Sequence, residues 1–384
     1  MTQPTAYLGA EIFDGHVRHH NAALLVADGR VAAIMPEDDL PAGAERIALD
    51  GGLIAPGFVD LQVNGGGGVM LNNAPTADTI RTICEGHVTG GTTSILPTLI
   101  TDAPEITRAA IAATRAALAE GVPGLAGLHL EGPHLSLARK GAHDPALIRP
   151  MDEDDLTALE ALAAELPTLL VTVAPESVRP EQIARLARAG ATVSLGHTDC
   201  SYAAATEATA SGARMATHLF NAMSQFTGRE PGLVGAVLDT GALWAGLIAD
   251  GFHVSPASIR VALAAKQGPG RIFLVSDSMA TTGTALDEFT LNGRRILRRG
   301  GRLTLEDGTL AGADLDLAGA VRFMAGTIGL DPLDALRMAT LHPAQAIGRD
   351  GEIGTLTPGS HADFVHLDDA LRVQKTWRRD GAVY

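Results

Sequence analysis

Eight short apolar runs, most of them followed by a stretch of helical character, constrain this chain more than any other feature. The runs fall at 58–63, 92–97, 125–130, 169–174, 192–196, 215–219, 244–249 and 272–276. Helix-like stretches lie between most of them, at 76–89, 103–119, 154–165, 179–189, 201–211 and 256–267, and a further one, 312–328, follows the eighth run. Short apolar runs bounded by turn residues predict strands buried on both faces. Strands alternating with helices predict a parallel sheet, and eight such units predict closure into a (β/α)8 TIM-like barrel. The segment Gly293–Leu305 after the eighth strand predicts a hairpin insertion.

The two ends of the chain read differently. Residues 5–56 are short strands broken by turns, with Asp28-Gly29 supplying the positive φ of a tight hairpin, and no helical period precedes residue 76. β character returns after about residue 350, at His361–Asp368, Val373–Trp377 and Asp380–Val383. The economical arrangement is a small β-sandwich domain built from both termini, 1–56 plus 351–384, beside a barrel of residues 57–350. The 384 residues, 46 % of them hydrophobic, suffice for both cores.

A formal net charge of −15 argues against nucleic-acid binding, which needs a basic surface to neutralise phosphates. An anionic small molecule stays compatible if a few basic residues converge. The two cysteines, Cys84 and Cys200, form no CxxC motif and no disulfide framework. The N-terminus lacks the basic and apolar regions of a signal peptide, and no run reaches the ~20 apolar residues of a membrane span. These features predict a cytoplasmic protein.

Barrel active sites lie at the C-terminal ends of the strands. Glu131, His197, His218 and Asp277 close the third, fifth, sixth and eighth runs. Two imidazoles and a carboxylate are a three-ligand set that leaves a tetrahedral ion one open position, the pattern of a catalytic site. A nearby carboxylate can take the proton of an activated water. The constellation points to metal-assisted hydrolysis.

The motifs Leu128-His-Leu-Glu-Gly-Pro133, Gly196-His-Thr198, Thr217-His-Leu-Phe-Asn-Ala-Met223, Gly228-Arg-Glu-Pro-Gly232, Asp250-Gly-Phe-His253 and Leu274-Val-Ser-Asp277 resemble those of the N-acetylglucosamine-6-phosphate deacetylases of the amidohydrolase superfamily. The resemblance runs in order from Pro56-Gly-Phe-Val-Asp60 to Gly354-Thr-Leu-Thr-Pro-Gly359. It implies that Glu131, His197 and His218 hold the metal and that Asp277 is the acid/base. It implies that His143 contacts the substrate carbonyl and His253 a sugar hydroxyl. Asn221, the Ala222 N–H and Arg229 would hold the phosphate of a phosphorylated N-acetyl amino sugar. It further implies a homodimer with shared sites, in which Arg229 and His253 reach in from the neighbouring subunit.

One departure bears on the cofactor. Many amidohydrolases carry His-x-His after the first strand, for a second metal; here the positions are Gln62 and Asn64, and amides are poor zinc ligands. No lysine lies between Lys140 and Lys266, so a carbamylated lysine at the fourth strand is impossible. Both point to one divalent metal per subunit, zinc first, with Fe2+ and Co2+ also suiting the ligand set. The single-metal subgroup is similar in having Gln-x-Asn, where Gln62 and Asn64 serve substrate binding or orient water and neighbouring ligands.

Two other functions compete. Another amidohydrolase, such as a cyclic amidase, usually needs the missing histidines or lysine. A non-catalytic sugar-phosphate sensor on the same barrel tends to lose a ligand or the base, and all four positions are intact. Other histidines rank lower. His129 reads as a barrel-core or supporting residue, His134 as pocket lining or a perturber of Glu131, and His87, mid-helix, as surface or packing. Cys200 reads as the start of the next helix.

Overall fold

The computed structural model describes residues 3–384, so Met1 and Thr2 of the expected β domain lie outside the described residues. Eight parallel strands form the central sheet: β1 Phe58–Val63, β2 Thr92–Ile100, β3 Leu128–Glu131, β4 Leu169–Val173, β5 Thr192–Leu195, β6 Met215–Ala216, β7 Trp244–Leu247 and β8 Ile272–Leu274. They neighbour one another in chain order. Nearly every strand residue is buried, as expected of a sheet with helices outside and side chains filling the inside. Between β8 and β1 the ring closes just beyond β8, where the Asp277 N–H donates to Gln62 O and the Asn64 N–H to Ser278 O, both at 3.0 Å.

Most helices that follow a barrel strand have a local cause. Thr76, Asp152, Ser201, Ser255 and Asp316 cap their helices by accepting a backbone N–H, and Asp152 with Asp155 completes a reciprocal capping box. Pro104, Pro180 and Pro256 occupy first-turn positions, where the missing N–H costs nothing.

The terminal segments form two further sheets. One orders Arg30–Pro36, Ala22–Ala27, Thr5–Leu8 and Glu45–Ala48. The other orders Val373–Trp377, Phe364–Leu367, Leu53–Pro56, Glu11–Phe13 and Arg18–His19, joining the two ends of the chain. Tyr7, Phe364 and Trp377 pack between them, the last two stacked at 4.9 Å. At the hairpin, Asp28 and Gly29 adopt φ of 49° and 71°, the mirror-image turn that matches strand twist.

Some expectations need correction. The insertion is a four-stranded antiparallel sheet, Glu288–Leu291, Arg294–Arg299, Arg302–Thr304 and Leu310–Ala313, rather than a lone hairpin. Its last strand takes the start of the expected 312–328 helix, which begins at Leu317 and ends in a π turn, Met324–Ile328. Helix Gly232–Asp239 was not expected; seven of its eight residues are buried, so it shows no amphipathic period to read. Helices Pro332–Ala339 and Leu341–Ala346 also add to the reading. Among the described residues no helix is long and apolar enough to cross a membrane.

Candidate metal centre and active site

Three of the strand-end residues share a backbone signature. His197, His218 and Asp277 have φ of 47°, 34° and 49°, in the left-handed region that costs a non-glycine residue about 1–3 kcal/mol and persists only where neighbours hold it. At each position the turn ends the strand locally. The neighbours are identifiable: the Thr198 N–H donates to Ala222 O, Leu219 N–H to Gly246 O, and Ala313 N–H to Asp277 O. Glu131 differs, being the last residue of β3 itself.

The side chains converge. Nε2 of His197 lies 3.2 Å and Nε2 of His218 3.1 Å from Glu131 Oε1, and the two nitrogens are 3.1 Å apart. Ligand atoms about 2.0–2.1 Å from a tetrahedral ion lie roughly 3.3 Å from one another, close to this triangle. His197 Nδ1 is 2.8 Å from the Arg139 carbonyl, which can only accept, so Nδ1 carries the hydrogen and, in a neutral ring, Nε2 presents a lone pair. In the neutral ring that lone pair faces a buried carboxylate, a contact that becomes attractive once a metal ion, or a proton on Nε2, sits between them. Burial raises the Glu131 pKa, but the hydrogen bonds and charges of His197 and His218 outweigh it and hold the carboxyl well below its ordinary range. Burial lowers the His218 pKa, yet Glu131 more than reverses this, another sign that the spot favours positive charge. The donor set fits a divalent metal.

His143 is buried beside this triangle, with its ring centroid 4.3 Å from that of His197. Ligand atoms of Glu131, His143 and His197 also lie within 4.8 Å of one another, so His143 is a second candidate ligand. Its hydrogen bonds argue otherwise. The Thr101 N–H donates to His143 Nδ1 at 3.3 Å, and Thr101 Oγ1 is 2.8 Å away. With Nδ1 accepting, a neutral ring carries its hydrogen on Nε2 and is a donor. Burial, then the His197 charge, keeps the ring neutral by lowering its pKa well below the ordinary value. Gly132 makes room, since a Cβ there would sit 2.1 Å from Thr101 Oγ1.

Asp277 Oδ1 accepts from Asn64 Nδ2 at 2.7 Å and from Gln62 Nε2 at 3.2 Å. The same Gln62 amide lies 3.3 and 3.4 Å from the two Glu131 oxygens. Gln62 and Asn64 thus brace the two carboxylates, which fits the expected alternative that they orient neighbouring ligands. Burial, then the Glu131 charge, raises the Asp277 pKa to about 6. That value suits proton transfer near neutral pH.

The remaining candidates lie on the loops that follow β6 and β7. His218, Phe220 and Ala222 alternate as positive-φ residues (34°, 77° and 47°), the kind of alternation that turns backbone N–H groups toward one side and makes an anion-binding concavity. The half-buried Asn221 side chain donates only to Leu219 O, at 3.3 Å. His253 Nδ1 pairs with Asp250 Oδ2 at 2.6 Å. Arg229 stands exposed with no ion pair among the described residues; Glu230 accepts instead from the Tyr202 and Gly232 N–H groups.

The structure also supplies residues the sequence reading passed over. Thr101, just past the end of β2, obeys the same strand-end rule but carries no distinctive chemistry. Of the two readings of His87, packing holds: it is buried, with Nε2 3.0 Å from Gly65 O and 3.3 Å from Ser278 Oγ. His129 is a barrel-core residue, between Thr98 and Thr172 hydroxyls at 3.1 and 2.8 Å. His134 faces away, toward Arg149 O and Asp155.

This barrel and donor set define a metal-dependent hydrolase, and the chain belongs to the amidohydrolase family, whose model matches residues 53–381. The NagA composite domain matches residues 6–54. Within the family the chain is a member of the N-acetylglucosamine-6-phosphate deacetylases. It is 41 % identical to an N-acetylgalactosamine-6-phosphate deacetylase of Shewanella sp. (strain ANA-3), covering 96 % of this chain and 93 % of that one. It is 35 % identical to the N-acetylglucosamine-6-phosphate deacetylase of Haemophilus influenzae, over 89 % of each. The crystal structure of the Pasteurella multocida N-acetylglucosamine-6-phosphate deacetylase superposes with a TM-score of 0.94 at 34 % identity, over 99 % of each chain.

Proposed function

We propose that this protein hydrolyses the acetamide of N-acetyl-D-glucosamine 6-phosphate to D-glucosamine 6-phosphate and acetate, in amino-sugar catabolism or recycling. The observation that carries the reading is the Glu131–His197–His218 triangle with Asp277 beside it, in a chain similar over nearly its full length to deacetylases of this class.

Glu131, His197 and His218 would hold one divalent cation, zinc first by ligand chemistry, with Fe2+ and Co2+ also compatible. When bound, that ion supplies Lewis acidity toward the acetyl carbonyl and acidifies the attacking water. Asp277 accepts the water's proton and delivers it to the departing nitrogen. The His143 Nε2–H donates to the oxygen that gains charge as the carbonyl becomes tetrahedral. Asn64 and Gln62 keep Asp277 and Glu131 in register. The concavity at Asn221 and Ala222 receives the phosphate, Arg229 supplies a guanidinium fork, and His253 contacts a ring hydroxyl. Phosphate binding remote from the amide then positions the reacting group.

Arg229 serves the neighbouring subunit in a homodimer. Residues 57–350 form the catalytic unit, and the terminal segments, through 56 and from 351, form the second. The two unpaired cysteines fit a reducing, cytoplasmic setting.

The 41 % identity to the Shewanella protein favours a second reading, with N-acetylgalactosamine 6-phosphate as substrate. Acetate release from the 6-phosphates of N-acetylglucosamine, N-acetylgalactosamine and N-acetylmannosamine, each beside its unphosphorylated sugar, tests both. A preference for the galacto sugar selects the second reading. Absence of release from all of them overturns the function.

A further inference from the structure

We propose that Asp60 is a positioning residue for this reaction, its carboxylate standing in for a missing backbone rung of the barrel and so setting where Asp277 and Gln62 point. The inference rests on the deacetylase reading for what Asp277 does.

Seven of the eight strand boundaries are held by backbone ladders. The eighth, between β8 and β1, has backbone hydrogen bonds at the mouth, through Asp277 to Gln62 and Asn64 to Ser278. One residue deeper, the Ser276 N–H donates to the Asp60 carboxylate instead, 3.2 Å from Oδ1 and 3.3 Å from Oδ2. The Gln62 N–H donates to the same Oδ1 at 3.2 Å. One side chain therefore fixes both the residue before Asp277 and the residue whose amide braces Asp277 and Glu131.

The register of β1 explains why a side chain is needed. Ile95 of β2 pairs with Asp60, but Pro97 pairs with Val63, so three residues of β1 advance against two of β2. Such a bulge adds an unpaired residue and re-aims side chains, and bulges gather next to active sites. Here it leaves two successive N–H groups with side-chain acceptors: Gln62 with Asp60, and Val63 with Thr98 Oγ1 at 2.9 Å. The bulged turn aims the Gln62 amide at the carboxylates, and Asp60 satisfies the backbone that the bulge released.

Asp60 is an expensive way to fill this space. It is 0 % exposed, and no cation pairs with it among the described residues. Burial, opposed by the hydrogen bonds from Ser276 and Gln62 and helped by the like charge of Asp277, brings its pKa up to about 7. An apolar residue would avoid that cost but would strand two buried N–H groups beneath the catalytic carboxylate.

The test compares Asp60→Ala with Asp60→Asn in the full-length, metal-loaded protein, assayed on N-acetylglucosamine 6-phosphate well below the unfolding midpoint of either. Asparagine keeps one acceptor oxygen for the two N–H groups; alanine keeps none. Asp60→Ala should lose on the order of 10–10²-fold in kcat, the scale of a small misplacement of a reacting group. KM and bound metal should stay near wild type, and Asp60→Asn should recover most of the rate. A crystal structure of Asp60→Ala should show the Asp277 carboxylate displaced from the Asn64 amide. If the alanine variant does not fold, Asp60→Glu keeps the acceptors but moves them by one methylene, and a lowered kcat at unchanged KM carries the same meaning. Wild-type kcat in the folded alanine variant, or in the glutamate variant if that one is needed, overturns the proposal, as does an unmoved Asp277. A wild-type protein that deacetylates none of these sugar phosphates defeats the deacetylase reading instead, and the position of Asp277 in the crystal then decides the role of Asp60.

Discussion

Glu131, His197, His218 and His143 are buried at the barrel mouth with Asp277 half-buried beside them, held by other groups of the same chain, whereas Arg229 stands in solvent on a loop whose Phe226 is 61 % exposed. The buried end carries the bond-breaking groups and the other end the proposed phosphate contact. In the proposed dimer, the contrast separates what a subunit does alone from what it shares. Proton transfer and carbonyl polarisation need positions set within fractions of an ångström, and one covalent chain supplies those. Phosphate recognition tolerates a guanidinium delivered from outside, and an unpaired arginine on an exposed loop is suited to delivering one.

The comparison breaks most visibly at the metal. Chelation should reduce acetate release to background, and about one equivalent of divalent ion per subunit should restore it. Metal analysis giving two equivalents, both needed for turnover, would end the single-ion reading of Gln62 and Asn64.

Asp277→Asn should lower kcat by ~10²–10⁴-fold with little change in KM, because an amide keeps the shape but cannot take the proton. Near-normal turnover would remove Asp277 from the proton path.

Arg229→Ala should act at the other end, raising KM while kcat at saturation changes less. Mixed with Asp277→Asn, it asks which subunit Arg229 serves. Assayed at limiting substrate, where Arg229→Ala alone is inactive, a symmetric dimer with exchanged arginines collects both lesions in one site of a mixed dimer and none in the other, so random re-association returns roughly a quarter of wild-type activity. If Arg229 serves its own barrel, co-refolding the two variants returns nothing.

The smallest effect separates the ends by pH. Asp60 has a folded pKa of about 7, above the ~3.9 of an unfolded aspartate. The folded protein therefore holds the extra proton between these values, and this group's contribution to stability is lost as pH rises through that window. The thermal midpoint of Asp60→Asn should fall less than that of wild type from pH 4 to 7. Arg229→Ala should leave the slope unchanged. Parallel slopes for Asp60→Asn and wild type would show that Asp60 is not protonated in the fold.

The eight barrel strands were legible because turn residues bound each buried run, and the strand-end rule then singled out Glu131, His197, His218 and Asp277. What stayed hidden shares a cause. Asp60 meets Ser276 across 216 residues, His87 meets Ser278 across 191, and Thr101 meets His143 across 42. No spacing or periodicity encodes such pairs; they exist only once the ring has closed. Helix Gly232–Asp239 was lost for the opposite reason, being buried too evenly for a period to show. The proposed role of the exposed Arg229 rests on its motif, since no geometry within one chain points to it.

The sheet that joins the two termini has a consequence for biosynthesis. Leu53–Pro56 leads directly into β1, pairs on one side with Glu11–Phe13 and on the other with Phe364–Leu367. On the ribosome the second partner emerges about 350 residues after the first, so the nascent chain carries an open, fully apolar strand edge through most of its synthesis. A chain halted before residue 364 would keep that edge, and a quality-control system that recognises unpaired strands would find it there.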